Sequence, residues 1–355
     1  MKNTISKVFL IVFLTGTAFN TFAEDLRRIV NLEGYWKFSV GDYKAWSGSN
    51  FNDADWDEIR VPGKWESQGY NEYNGYAWYR RQFRIQDVDQ NETLYLLLGR
   101  IDDVDEVFLN GRKLGSTGNF PPDNYSTAYW VNRRYIIPPE FLNTDRVNTI
   151  AIRVYDEFMD GGIVSRPVGI YIDEDSEYLE YRITGPWKFH LGDNKQWKSS
   201  TYNDDQWTSI NVPAEWEQQG FANYDGYAWY RKEIDIPADL AKKDLYLSLG
   251  KIDDIDYVYI NGEFIGSVYE LDKDHDYKRK GYEYNARRVY KIPGGLLKAG
   301  SKNVIAVRVY DSMMRGGIYE GPIGFMTKEN YERYQKKHYG NRTFWDYLID
   351  EYFSD

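Results

Sequence analysis

Two acidic triplets carry the residue types in this sequence that are best suited to chemistry. They are Asp102, Asp103 and Asp105 and, 151 residues further on, Asp253, Asp254 and Asp256. Alternation along a strand predicts that Asp103 and Asp105 face one way and Asp102 the other. Two carboxylates about 5–9.5 Å apart could act as acid and base in glycoside hydrolysis. Such a group could instead bind Ca²⁺ together with backbone carbonyl oxygens.

The same acids could be structural. Arginines recur at matching positions, 151 or 155 residues apart, and a guanidinium group presents a fork of donors that fits a carboxylate. The candidate partners are Arg80, Arg81 and Arg153 for the first triplet and Arg231 and Arg308 for the second. Ion-pair networks imitate functional sites. Structural pairing, binding of a glycan or an ion, and catalysis therefore all remain open from the sequence.

Aromatic side chains are the second group with binding potential. They make up 17% of the 355 residues. The mean hydropathy is nevertheless −0.68, which indicates that many rings lie at partly wet surfaces. A sugar stacks its apolar face on such a ring and bonds its hydroxyl groups to neighbouring polar side chains. The residues that supply this mixture are Trp65, Glu66, Tyr73 and Trp78, and Trp216, Glu217, Tyr224 and Trp229. For Trp65 and Trp216, core and site are equally good interpretations.

An internal duplication organises these residues. Residues 61–69 (VPGKWESQG) recur as 212–220 (VPAEWEQQG), and residues 73–80 (YNGYAWYR) recur as 224–231 (YDGYAWYR). The offset is 151 residues and becomes 155 after a four-residue insertion within 270–279. A constant offset over this distance indicates one module present twice.

The sequence pattern of each copy predicts β structure. Strand-like apolar runs end at Gly99 and Gly250, and Asn110-Gly111 and Asn261-Gly262 are typical of tight hairpins. We predict an all-β protein of two tandem jelly-roll β-sandwiches, at residues 24–172 and 181–326, joined by an acidic linker at 173–180. Apolar rows within 344–353 predict an amphipathic helix in a C-terminal segment, 327–355, which either caps the second sandwich or mediates assembly.

Composition and the N-terminus narrow the function classes. Residues 1–23 resemble a secretory signal, with Lys2 and Lys7, a short apolar centre and cleavage near Ala23. We therefore expect an exported protein, periplasmic or extracellular, without membrane insertion. The net charge of −11 argues against a nucleic-acid partner, and the absence of cysteine excludes disulfides and cysteine-based metal or nucleophile chemistry.

The repeated motifs resemble a known family. The motifs Val-Pro-x-x-Trp-Glu, Ala-Trp-Tyr-Arg and Val-Tyr-Asp before Gly-Gly-Ile are similar to the galactose-binding-like jelly roll, as in the sugar-binding domain of family 2 glycoside hydrolases. They also resemble the jelly roll inserted in bacterial sialate O-acetylesterases. The first family keeps its catalytic glutamates on a separate barrel of about 250 residues, for which we expect no room here. The second uses a Gly-Asp-Ser nucleophile, where this sequence has Tyr43 and Asn194 in place of serine.

The resemblance implies a non-catalytic carbohydrate-binding protein that assists polysaccharide or glycoconjugate breakdown, with a glycan as its ligand. No cofactor is certain, although Ca²⁺ is compatible with the acids. One alternative is a glycoside hydrolase or carbohydrate esterase component that works with a separate catalytic chain. Another is a structural protein–protein interaction module.

Overall fold

A computed structural model describes residues 25–86, 92–122, 124–268 and 283–340, which form two β-sandwiches and one helix. The predicted export signal at 1–23 and the predicted helical rows at 344–353 lie outside the described residues. Among the described residues, no helix is both long and apolar enough to cross a membrane.

The first sandwich contains eleven strands in two antiparallel sheets. The strands are β1 (Leu26–Asn31), β2 (Gly34–Val40), β3 (Asp57–Val61), β4 (Gly75–Phe83), β5 (Leu94–Asp102), β6 (Val104–Leu109), β7 (Arg112–Thr117), β8 (Asn132–Ile137), β9 (Asn148–Asp156), β10 (Gly162–Ile163) and β11 (Val168–Asp173). One sheet has the order β3-β2-β4-β9-β6-β7, and the other has the order β1-β11-β5-β10, with β8 also paired to β5.

The second sandwich repeats this plan. Its strands are β12 (Tyr181–Arg182), β13 (Gly185–Leu191), β14 (Thr208–Val212), β15 (Gly226–Asp235), β16 (Leu245–Asp253), β17 (Ile255–Ile260), β18 (Glu263–Gly266), β19 (Arg287–Lys291), β20 (Lys302–Asp311) and β21 (Gly317–Thr327). One sheet has the order β14-β13-β15-β20-β17-β18 and the other β12-β21-β16-β19. The predicted all-β class and the pair of sandwiches are confirmed.

Four tryptophans predicted as possible sugar-stacking rings lie inside the sandwiches instead. Trp65, Trp78, Trp216 and Trp229 have no exposed surface. Trp65 packs so closely on the backbone that a Cβ added at Gly161 would lie 2.0 Å from its ring, and Gly316 faces Trp216 in the same way at 1.9 Å. A buried ring has no free face on which a sugar could stack. The prediction that these four tryptophans bind a glycan is therefore wrong, and they belong to the hydrophobic core.

A fully buried ion pair lies at the centre of each sandwich. The Arg133 guanidinium donates through Nε to Oδ1 of Asp105 at 2.7 Å, and neither side chain has exposed surface. Arg288 and Asp256 form the equivalent pair at 3.0 Å. Structural pairing, one of the three interpretations open from the sequence, therefore applies to Asp105 and Asp256, but their partners are not the candidates Arg80, Arg81, Arg153, Arg231 or Arg308. Both acids are too deeply buried to reach a ligand.

The segment between the sandwiches is packed rather than open. Within the predicted linker, residues Glu174–Tyr178 form a 3-10 helix that buries Asp175, Ser176 and Tyr178. Asp175 contacts three basic residues: Arg287 at 3.3 Å, Lys337 at 2.7 Å and His338 at 2.8 Å. Lys337 and His338 belong to the single described α-helix, α1 (Lys328–Tyr339), which packs on β21 and β16 of the second sandwich.

Replacing Trp65 by alanine should destabilise the protein, because removing a fully buried tryptophan from a close-packed core costs about 3–5 kcal/mol. Urea denaturation followed by circular dichroism measures this change. The control is Tyr35→Ala, which removes a ring that is 65% exposed. This variant should have the same free energy of unfolding as the wild type. Equal stability of the two variants would contradict the core assignment.

Asp175 should make stability depend on acid pH. Burial alone would raise its pKa, but His338, Lys337 and Arg287 outweigh that effect and hold the pKa below its ordinary value of 3.8. The ionised group therefore stabilises the fold above that value, and this contribution is lost as the pH falls through the folded-state pKa. Scanning calorimetry should find Asp175→Asn less stable than wild type at pH 7, with the gap narrowing below pH about 4.

Glu174→Gln is the matched control, since Glu174 neighbours Asp175 but makes a solvent-exposed pair with Arg27. Its midpoint should follow that of the wild type throughout. A gap between wild type and Asp175→Asn that stays constant down to pH 3 would refute the assignment.

Candidate functional site

The chain changes sheets between Asp102 and Asp103, and this brings their side chains together. Strand β5 ends at Asp102 in one sheet, and β6 begins at Val104 in the other, with a cis peptide bond between the two aspartates. Asp253 and Asp254 repeat the arrangement between β16 and β17. The predicted alternation along one strand is therefore wrong, because no single strand contains the triplet.

A third carboxylate joins each pair. One oxygen of Asp156, at the end of β9, lies within 4.8 Å of an oxygen of both Asp102 and Asp103. Asp311, at the end of β20, completes the repeat with Asp253 and Asp254 under the same limit. We call Asp102, Asp103 and Asp156 the first carboxylate cluster, and Asp253, Asp254 and Asp311 the second carboxylate cluster.

Asp103 accepts hydrogen bonds from two different loops. Tyr125 donates its hydroxyl at 2.8 Å and Thr127 donates its hydroxyl as well, while the backbone N–H of Glu157 donates at 3.0 Å. Burial would raise the pKa of Asp103, but these donors outweigh burial and lower it. Asp254 accepts the N–H of Ser312 at 3.0 Å, as Asp103 accepts that of Glu157, and it also accepts the Ser312 hydroxyl at 2.7 Å. Each of these aspartates is thus held as an anion.

The other carboxyl groups have pKa values raised into or above the neutral range. Burial and then the charge of Asp103 raise the pKa of both Asp156 and Asp102. In the second cluster, burial raises the pKa of Asp253 to about 9 and that of Asp311 to about 6. None of the six carboxyl groups lies within ion-pair distance of a lysine or arginine in the described parts of the chain, although Arg133 and Arg288, which pair with Asp105 and Asp256, oppose the rise in the pKa of Asp102 and Asp253. Each cluster thus combines one anionic aspartate with two carboxyl groups that its charge and burial help to keep protonated.

A glutamate lies near each cluster: in addition to burial, the charge of Glu66 raises the pKa of Asp156, and that of Asp311 raises the pKa of Glu217. Oε1 of Glu66 accepts the N–H of Gly161 at 2.9 Å, and Glu217 accepts that of Gly316 at 3.2 Å. Burial raises the pKa of Glu217 to about 8. The ion pair that closes the same loops is reversed between the copies: Lys64 pairs with Asp160 in the first, whereas Glu215 pairs with Arg315 in the second.

The remaining predicted site residues support loops elsewhere. Arg80 is buried and donates to Asp53 and to the carbonyls of Trp46 and Gly48, and Arg231 repeats these contacts with Asp204. Arg153 forms a two-bond pair with Asp42, and Arg308 does so with Asp193. The hydroxyl groups of Tyr73 and Tyr224 donate to the carbonyls of Tyr76 and Tyr227. These six residues have structural contacts, and the structure does not bring them to the clusters.

Exposed rings lie within three residues, along the sequence, of groups on two loops that form hydrogen bonds with Asp103. Tyr129 and Trp130 follow Thr127 and are 51% and 49% exposed, and Phe158 follows Glu157 and is 74% exposed. We call these three residues the aromatic rim. In the second sandwich, Tyr284, Asn285 and Met313 occupy the matching positions, so that copy has one ring where the first has three.

Sequence reasoning missed Asp156, Asp311 and the aromatic rim. A signal for the two acids was present, because both end the repeated Val-Tyr-Asp motif. No such signal marked the rim, since Phe158 and Trp130 do not recur in the second copy.

Comparisons with known proteins agree with the duplication. The family model of the β-galactosidase second all-β domain matches residues 41–157 and again residues 191–314. A β-glucuronidase of Formosa agariphila is 28% identical over an alignment of length 152 that covers 38% of this chain and 14% of the relative. A β-galactosidase of Priestia megaterium is 23% identical over an alignment of length 123 that covers 26% of this chain and 12% of the relative.

A solved β-glucuronidase of Bacteroides uniformis aligns with 82% of this chain and 28% of its own, at 18% identity and a TM-score of 0.37. The chain thus spans a small part of these relatives, 14% or less of the two curated ones. The two matched segments lie one in each sandwich and together cover more than half of the chain. The protein therefore belongs to the family of the β-galactosidase second all-β domain.

Proposed function

We propose that this protein is an exported, non-catalytic carbohydrate-binding protein that assists a glycoside hydrolase or carbohydrate esterase in breaking down polysaccharides or glycoconjugates. Its family relationship to an all-β domain of glycosidases supports a role in carbohydrate chemistry. Because one fold serves many functions, the argument must rest on the site itself.

The aromatic rim carries the proposal. Two separate loops present exposed rings at one edge of the first sandwich, because both loops donate hydrogen bonds to Asp103. Tyr129 and Trp130 lie edge to face, with ring centroids 5.0 Å apart. Asp102 is the partly exposed carboxylate of the first cluster. Exposed rings near such an oxygen acceptor are the combination that a sugar ring requires, since its C–H face stacks on the ring while its hydroxyl groups donate to the oxygens.

Burial of Asp103 and Asp156 leaves only Asp102 partly exposed in the first cluster, which favours binding over catalysis by a pair of carboxyl groups. Asp156 has no exposed surface, and Asp103 retains little. A general acid or base must come within hydrogen-bond reach of the reacting bond, and a buried carboxylate offers no room for a glycosidic oxygen. We therefore propose that the first sandwich binds the glycan at its surface and that the acids hold the binding loops in place.

Trp130→Ala should weaken glycan binding without unfolding the protein, because it removes an exposed ring from the rim. The purified chain is first screened on an array of plant, algal and host glycans, and affinity electrophoresis then gives dissociation constants for the polysaccharides that bind. We expect Trp130→Ala to bind about ten-fold more weakly, which corresponds to about 1.4 kcal/mol.

Tyr43→Ala is the matched control, since it removes another exposed ring from the same sandwich but from a loop that Asp103 does not hold. Its affinity should equal that of the wild type. A well-folded protein that binds no glycan would overturn the proposed function, and equal losses in both variants would overturn the assignment to the rim.

A further inference from the structure

The first carboxylate cluster contains a buried acid that the protein itself does not satisfy. Asp156 is 0% exposed, and no side chain among the described residues donates a hydrogen bond to its carboxylate oxygens; the backbone N–H of Phe158 lies close enough to lower its pKa. In the second cluster Asp311 is equally buried; its Oδ1 accepts the N–H of Met313 at 3.1 Å, and its Oδ2 has no hydrogen-bond partner among the described residues. Burial of an unpaired carboxylate is among the most unfavourable arrangements in a protein interior. A buried carboxyl group of this kind is compensated either by a bound proton, which the pKa of about 7 for Asp156 and of about 6 for Asp311 reflects, or by a cation from outside the chain.

A buried tyrosine hydroxyl near each cluster also lacks a side-chain hydrogen-bond partner. Tyr79 and Tyr230 are fully buried, and in the described parts of the chain no side chain forms a hydrogen bond with their hydroxyl groups; only the backbone of Ile163 and of Ile318 acts on them. Burial raises the pKa of both, and the charges of Glu66 and Asp156 for Tyr79, and of Glu217 and Asp311 for Tyr230, raise it further. Each tyrosine therefore lies close to its cluster.

A third acidic group in the chain shows how this protein balances carboxylates when it uses its own residues. Asp25 and Asp175 also lie near each other, together with His338. There, Arg287 contacts both acids and Lys337 lies 2.7 Å from Asp175. The two carboxylate clusters have no such lysine or arginine partner among the described residues.

We propose that each carboxylate cluster binds one Ca²⁺ ion. Three carboxylates from the ends of β5 and β9 and the start of β6, or from their repeats in β16, β20 and β17, provide hard oxygen ligands on facing sheets. Calcium accepts six to eight oxygen ligands in flexible geometry, whereas Mg²⁺ demands an octahedron and retains its water. Zinc prefers nitrogen and sulfur ligands, which the clusters do not offer.

A bound cation at these positions would join the two sheets of each sandwich at the point where the chain passes between them. It would also hold the loops that carry the aromatic rim, through Asp103. The proposal goes beyond glycan binding and does not depend on it, since the second carboxylate cluster lies in a sandwich with a reduced rim.

Calcium titration of the chelator-treated full chain tests the proposal. Isothermal calorimetry with CaCl₂ should find two sites per chain with dissociation constants of about 10⁻⁴ M or tighter, and Ca²⁺ should raise the melting midpoint above that in EDTA. Asp156→Asn should retain one site, and Asp156→Asn with Asp311→Asn should retain none. MgCl₂ should bind at least about ten-fold more weakly.

Asp175→Asn is the control variant, because it changes an acidic group that already has basic partners; it should retain both sites. In EDTA, Asp156→Asn should melt no lower than the wild type, because it removes a buried unpaired charge, so loss of a site cannot be attributed to misfolding. Absence of any calcium heat and any midpoint shift in the folded wild type would overturn the proposal. Retention of two sites in Asp156→Asn would overturn it as well. Neither calcium result would decide whether the protein binds glycans. Glycan binding is measured separately, by comparing wild type with Trp130→Ala.

Discussion

The buried pair of Arg133 and Asp105 is the interaction on which the geometry of the first sandwich depends. Asp105 lies on β6, just after the chain passes from one sheet to the other, and its second oxygen accepts the hydroxyl of Tyr135 at 2.5 Å. Arg133 donates further hydrogen bonds to the carbonyls of Asp103, Ala128 and Val131. Removing one member of such a pair leaves an uncompensated buried charge, which costs about 3–5 kcal/mol. Arg288, Asp256 and Tyr290 repeat the arrangement.

The loop contacts at the candidate site follow from that pair. Because Arg133 holds the carbonyls of Asp103 and Ala128, the loop with Tyr125 and Thr127 lies against the Asp103 carboxylate. The same carboxylate accepts the N–H of Glu157, so a second loop meets the first. The position of the exposed rings is therefore determined by buried polar contacts several residues away, and not by the rings themselves.

Duplication preserved the buried parts of this arrangement and changed the exposed ones. The core tryptophans, the buried ion pairs and the three-carboxylate clusters occur in both copies. At the surface, the closing ion pair is reversed, and the rim has three rings in the first copy and one in the second. Exposed positions tolerate such changes because little packing depends on them, whereas each buried group must find its partners. The two sandwiches thus share one construction and differ in the surface that a ligand would meet.

The all-β class, the two copies and most of the repeated acids can be inferred from the sequence. A constant offset and alternating apolar residues are visible without any tertiary contact, and they are sufficient to predict two β-sandwiches. The role of each residue depends instead on contacts that the folded chain creates. Trp65 and Trp216 occupy the core because Gly161 and Gly316 leave room for their rings, and Asp105 pairs with Arg133 rather than with Arg80. Asp156 joins Asp102 and Asp103 because the ends of β9 and β5 meet where the chain changes sheets, a contact across about 54 residues that no local pattern in the chain specifies.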